Sequence, residues 1–179
     1  MSLQADLDSP ADETAFSGAV RVDRGDETVL ETAYGFAHRG WRIPTEVDTR
    51  FGIASGTKRF TALAVVCLIE DGVLERSTPA RSLLGDDLPL VGDEVTVEQL
   101  LAHRSGIEDY LDEDTDLDLD QYLLAVPVHE LAATENYLAV LDGHATKFAP
   151  DERFSYSNGG YVLLALIAER ASGTPSTSS

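Results

Sequence analysis

The sequence predicts an α/β chain in which an antiparallel strand pair precedes a mostly helical region. Three observations carry that reading. Residues 16–22 and 28–34 alternate in polarity and are rich in β-formers, with the turn signal Arg24-Gly25-Asp26 between them. An apolar helical stretch runs from about Ser55 to Asp71 and stops at Gly72, a residue suited to the position after a helix. A second such stretch runs from Tyr161 to Ala171 and stops at Gly173.

The remaining elements follow in order. Residues 1–15 are polar and acidic and are expected to form a loose leader. Gly35 to Thr49 reads as an irregular connection containing Gly40 and Pro44. In the Ser55–Asp71 helix, Phe60, Leu63, Ala64, Val66, Cys67 and Ile69 are apolar nearly all round. Such a helix is expected to be central and buried, with Cys67 as a small core hydrophobe. Thr96 to His103 reads as a short helix with Thr96 as its N-cap, and Val128 to Leu141 as another. Residues 79–141 are therefore expected to be mostly helical. The tail at 174–179 turns abruptly Ser/Thr-rich and is expected to be unstructured.

Charge excludes several functions. There are 32 acidic and 13 basic residues, a net of −19, and Lys58 and Lys147 are the two lysines. Such a surface repels nucleic-acid phosphates and anionic membranes. No apolar run reaches the roughly 18–20 residues a membrane helix needs. The first residues have no basic start or apolar stretch of the secretory kind. A lysine-poor, aspartate-rich chain suits a salt-rich cytoplasm, so a cytoplasmic protein of a salt-loving organism is expected.

Two short patterns carry chemistry. In Ser55-Gly56-Thr57-Lys58, positions i and i+3 share a helix face, and a serine at a helix start lies in the positive end of its dipole. A serine hydroxyl is a poor nucleophile unless a neighbour takes its proton, and an amine desolvated against an apolar helix can do so. In Tyr156-Ser157-Asn158, a phenol beside a cation can pass a proton between a serine oxygen and a leaving group. The Asn158 amide can meet both a substrate carbonyl and the lysine. Taken alone, each pattern reads more simply: a capping serine with a solvated lysine, and a loop tyrosine with a capping asparagine.

The longer context is more specific. Phe51-Gly-Ile-Ala-Ser55-Gly-Thr-Lys58-Arg-Phe60-Thr61-Ala62 is followed by Leu100-Leu101-Ala-His103-Arg-Ser105-Gly106-Ile107, then by Phe154-Ser-Tyr156-Ser-Asn158-Gly-Gly-Tyr161. These blocks resemble the serine β-lactamase and penicillin-binding-protein family, in particular the class C type with a Tyr-x-Asn second motif. The resemblance spans about Phe16 to Gly173. It implies an antiparallel sheet flanked by helices plus an all-α region, with the site between them. It also implies acyl transfer to Ser55 followed by hydrolysis of an ester, amide or β-lactam. Lys58 would be the general base, Tyr156 a proton shuttle, and Asn158 a ligand of substrate and lysine. The Ser55 N–H would supply one half of the oxyanion hole. No cofactor or metal is implied. A salt-loving archaeon would lack ordinary peptidoglycan, which favours an esterase or peptidase-like substrate.

This chain departs from the family pattern at two places. Pro150-Asp151 stands where the family usually has Pro-Gly, so a left-handed backbone there would strain Asp151. No Lys-Thr-Gly or His-x-Gly triplet follows Asn158. The chain is therefore expected to be a C-terminally truncated member, catalytically poor and marginally folded. Its strand pair would be an isolated hairpin, and the sheet-facing side of the Ser55 helix would lie exposed. Two alternatives remain open: an inactive hydrolase fragment, or a penicillin-binding module that acylates without turnover.

Other constellations fail. Gly-x-Ser-x-Gly is absent, and Gly52 to Lys58 lacks the spacing of a phosphate loop. Asp112, Asp114, Asp116, Asp118 and Asp120 alternate, but Leu117 occupies the glycine position of a calcium loop, so a solvated acidic loop is expected. His38, His103, His129 and His144 lack metal-ligand spacing, and His103 reads as a structural hydrogen-bonder.

The charge makes a direct prediction. Raising potassium chloride from about 0.01 M to 1 M shortens the Debye length from about 30 Å to about 3 Å and screens self-repulsion. The thermal midpoint should rise steadily over that range. A flat or falling midpoint would show that the acidic surface does not control stability.

Overall fold

The computed structural model describes residues 2–112 and 122–174. It divides into two compact units, Met1–Ile53 and Ala54–Ser179.

The first unit opens with helix α1 (Leu3–Thr14), where a loose leader was expected. Charge dominates its composition, but Leu3, Leu7 and Ala11 recur at four-residue spacing and make one apolar stripe, of which Ala11 is buried. Ser2 caps the start by accepting from the Ala5 N–H, and Ala15 ends the helix at φ 50. Tyr34 ties the helix to the sheet, accepting from Gln4 Nε2 (3.0 Å) and donating to Asp8 Oδ1 (2.9 Å).

Strands β1 (Gly18–Arg24) and β2 (Glu27–Tyr34) form the predicted hairpin, in register from Gly18↔Tyr34 to Arg24↔Glu27. Gly25 takes φ +60, the positive value a two-residue hairpin turn needs at its first position. Among the described residues this sheet has two strands. The expected irregular connection contains a second small ribbon, β3 (Phe36–His38) with β4 (Ile43–Pro44).

In the second unit, a 3-10 turn at Ala54–Thr57 leads into α2 (Lys58–Glu70). Short helices α3 (Arg81–Leu84), α4 (Val97–Leu101) and α5 (Leu138–Leu141) follow, and α6 (Asn158–Ser172) closes the unit. Thr96 caps α4 as predicted, accepting from the Gln99 N–H while Gln99 Oε1 accepts from the Thr96 N–H. The expected helix over 128–141 is broken instead. Ala133 is extended (φ −128, ψ 155), and Asn136 Oδ1 accepts from its N–H, a local bond that competes with continuous helix. Two 3-10 turns and α5 replace it.

The core belongs to α6 and what wraps it. Leu163, Leu164, Leu166 and Ile167 are 1% exposed or less, packed with Val65, Leu84, Val95, Val97 and Leu100. Burying each such side chain contributes roughly 1.5–3 kcal/mol. Two arginines fasten the surrounding loops. Arg81 donates to the carbonyls of Gly85, Asp87, Leu88 and Val91. Arg170 reaches Asp87 (2.7 Å) and Glu135 (2.9 Å), joining α6 to both flanking segments.

Helix α2 differs from expectation. It packs on α6 through Val65, with Leu68 and Ile69 against the core, but it is not buried all round. Phe60 is 65% exposed and Leu63 59%, Val66 is also exposed, and Cys67 lies on the surface instead of in the core. The apolar pattern identifies which residues avoid water, not what covers them.

Candidate active site

The second unit places Ser55, Lys58, Tyr156 and Asn158 together. Ser55 lies in the 3-10 turn at the head of α2, just after Ala54 in a left-handed conformation (φ 43), and its side chain is exposed. Lys58 opens α2 one turn later, so Nζ donates to Ser55 Oγ at 3.2 Å. The same Nζ donates to Asn158 Oδ1 at 2.7 Å, across 100 residues of chain. Tyr156 donates its hydroxyl to Ser55 Oγ at 2.7 Å, and Lys58 Nζ lies 4.7 Å from the centre of its ring. Ser55 Oγ is thus met by an amine and a phenol, each within proton-transfer distance.

A cleft of about 600 Å³ opens beside these groups. Tyr110, Tyr137, Val162 and Ala165 give it an aromatic and aliphatic wall, and the Tyr110 and Tyr137 rings stand 6.5 Å apart. Burial, then the Asp109 carboxylate, pushes the Tyr110 hydroxyl up to about 12. The Tyr110 hydroxyl therefore stays uncharged at working pH. The sequence reading missed both tyrosines, because an isolated Tyr in a loop or short turn has no pattern to mark it.

The segment around residue 156 is held from below. His103 takes φ 55, its carbonyl accepts from the Ser155 N–H (2.9 Å), and its Nδ1 accepts from the Ser157 N–H (3.0 Å). Its ring lies tilted against Tyr156 (4.6 Å between centroids) and stacks on Tyr161 (4.8 Å). The predicted structural role for His103 agrees with these contacts. Gly106 in the same loop has φ +73, and a Cβ there would come within 2.0 Å of the Phe148 carbonyl oxygen, so only glycine fits. Asp151 adopts the left-handed conformation anticipated for the family's glycine (φ 66). Gln99 Nε2 (2.7 Å) and Arg104 Nε (3.2 Å) hold its carboxylate below the usual range, and Arg104 also donates to its carbonyl.

Helix α6 begins earlier than predicted, at Asn158, and Ser157 is the N-cap in place of Asn158. Asp109, which the sequence reading passed over, accepts from the N–H groups of Asn158 and Gly159. Among the described residues no cluster of three or more His, Cys, Asp or Glu has the geometry of a metal site, and no helix is long and apolar enough to cross a membrane. Of the acidic run, residues 113–121 lie outside the described residues, as do 175–179 of the tail.

The His103 environment has a pH consequence. Burial, then the Lys58 charge, lowers its pKa below the ordinary 6.5. A proton therefore binds the unfolded chain more readily than the folded one. The stability contribution is complete above about 6.5 and is lost as pH falls through that value toward the lower folded one. Protonation also removes the Nδ1 acceptor from the Ser157 N–H. Between pH 7.5 and 5.5 the wild-type thermal midpoint should fall relative to that of His103→Asn, which tolerates φ 55 and keeps an acceptor. Parallel curves for the two proteins would exclude His103 as a contributor.

Comparison with known proteins identifies the family. The Beta-lactamase family profile matches residues 4–178. A penicillin-binding protein of Bacillus subtilis is 31% identical over 96% of this chain and 36% of its own length. Esterase EstB of Burkholderia gladioli is 34% identical over 97% of this chain and 47% of its own. The crystal structure of a penicillin-binding protein from Bacillus halodurans superposes with a TM-score of 0.82 at 38% identity, covering 94% of this chain and 50% of that one. The chain thus spans half or less of the length of these relatives. Its fold is of the β-lactamase/transpeptidase type, and the chain belongs to the Beta-lactamase family.

Proposed function

We propose that this chain carries the acylating half of a serine hydrolase that acts on small neutral esters or amides, with β-lactams as a related class. The observation that carries the reading is the double contact on Ser55 Oγ, from Lys58 Nζ at 3.2 Å and the Tyr156 hydroxyl at 2.7 Å. Ser55 is the nucleophile. As Oγ attacks the substrate carbonyl, its proton passes to Lys58 Nζ, which serves as general base once it has given up a proton of its own. When the carbonyl carbon releases its leaving group, Tyr156 gives that group its phenolic proton and recovers one from Lys58. Water then repeats the sequence on the acyl-enzyme and regenerates Ser55. Asn158 holds Lys58 and offers its amide to the substrate. The Ser55 N–H serves as one oxyanion donor, and removing one such donor costs about 10²–10³ in kcat.

Three supports bear on the substrate. The cleft wall of Tyr110, Tyr137, Val162 and Ala165 is apolar. The related esterase acts, by its name, on esters. Net charge of −19 disfavours polyanionic partners such as nucleic acids. The same charge suits a salt-rich cytoplasm. Residues 1–179 form the N-terminal portion of a single β-lactamase-like domain, a proposal supported by the share of its relatives' length that the chain covers.

At molar potassium chloride, a fluorophosphonate should add one label per chain, at Ser55 by peptide mapping, and Ser55→Ala should remove it. Undiminished labelling of Ser55→Ala would end the proposal. A fluorescent penicillin separates the modes of action: an adduct that decays marks hydrolysis, and one that persists marks acylation without turnover.

A further inference from the structure

Asp109 is 5% exposed and has no part in the proton transfers above. Its Oδ1 accepts from the N–H groups of Gly159 (2.8 Å) and Leu111 (3.3 Å), and its Oδ2 from the N–H of Asn158. The Asn158 and Gly159 N–H groups are the first two donors of α6, which no intrahelical carbonyl can satisfy. Ser157 Oγ takes the third, from Gly160, at 2.8 Å. Gly159 makes room for the carboxylate: a Cβ there would stand 3.2 Å from Asp109 Oδ1 and 3.1 Å from a Leu141 methyl.

The grip falls on the residue that holds the lysine. Asn158 Nδ2 donates to the Leu111 carbonyl at 3.3 Å, and the Leu111 N–H returns to Asp109. A closed ring runs from Asp109 to the Asn158 backbone, through its amide to Leu111, and back. The ring also fixes which amide end faces Lys58. A carbonyl can only accept, so Nδ2 must face Leu111 and Oδ1 must face Lys58 Nζ, the 2.7 Å contact. A plain helix cap would satisfy α6 without this orientation.

We propose that Asp109 is a positioning residue of the active site, acting through Asn158 to aim its amide oxygen at Lys58. The inference rests on the reading of Ser55 and Lys58 as the reactive pair. In Asp109→Asn, one carboxylate oxygen becomes an NH2 that faces a backbone N–H, so the ring cannot close.

The test exploits the two lysines. In the 179-residue chain labelled with 15N-lysine, the Lys58 ammonium signal is identified by its persistence in Lys147→Arg. At fixed pH and molar salt, Asp109→Asn should displace that signal toward its position in Asn158→Ala. It should also slow fluorophosphonate labelling of Ser55 by about 10- to 100-fold, the scale of an ångström of misplacement. In the Asn158→Ala background, Asp109→Asn should add no further displacement. Asp109→Ser, which keeps one acceptor, serves if Asp109→Asn does not fold. A folded variant with the Lys58 signal unmoved overturns the proposal, because a purely structural cap would give that result. A further displacement in the Asn158→Ala background also overturns it, since Asp109 would then act directly by its charge. If wild type takes no label while the Lys58 signal responds as expected, the hydrolase reading fails and the positioning role stands.

Discussion

The contact between Lys58 Nζ and Asn158 Oδ1, 2.7 Å long, joins the start of α2 to the start of α6. Everything proposed for the site depends on it. Ser55 and Lys58 are neighbours by helix spacing, and any capped helix could bring such a pair together. Tyr156 and Asn158 arrive from 100 residues away, and their approach requires α6 to start at one place and point one way. His103 holds the 155–157 segment, Asp109 and Ser157 satisfy the first N–H groups of α6, and Gly159 and Gly160 leave them space. A hydrogen bond from a charged donor contributes roughly 1.5–3 kcal/mol. That is enough to select an orientation but not to build one. The buried leucines of α6 supply the rigidity.

The scarcity of cations sharpens this dependence. Lys147 pairs with Asp112 at 2.9 Å, and Arg170 bridges Asp87 and Glu135. Arg81 gathers four carbonyls, and Arg104 clasps Asp151. The strongly placed cations sit at points where a loop must be closed. Lys58 is the one of this group whose partners are a serine, a phenol and an amide. Local pairing of this kind survives salt that screens long-range repulsion, because contact pairs are screened far less than distant charges.

Local structure was legible in the sequence where the signal was local. The hairpin, its turn at Gly25, the Thr96 cap and the end of α6 at Gly173 all follow from residues within a few positions of one another. The meeting of the four candidate residues was legible because three spaced blocks jointly constrain them. What was not legible needed tertiary information. Helix α1 was hidden because acidic composition outweighed a three-residue stripe. The apolar surface of α2 does not reveal its own covering, so Phe60 and Cys67 were placed in a core they do not join. The 128–141 segment has helical composition, but Asn136 offers its backbone a competing bond. Asp109 had one faint signal: glycines at 159 and 160, where a helix normally avoids them, imply that something must approach closely.

In the proposed mechanism Lys58 is a base and not only a fixed charge, and Lys58→Arg separates the two. Arginine keeps the positive charge and the donors toward Asn158 but stays protonated at any working pH. With the thermal midpoint at molar salt as the control for folding, the measurement is the rate of fluorophosphonate labelling at Ser55. The account predicts a loss of at least about 100-fold in a folded protein, the lower end of what general-base catalysis contributes. Labelling of folded Lys58→Arg at the wild-type rate would contradict it.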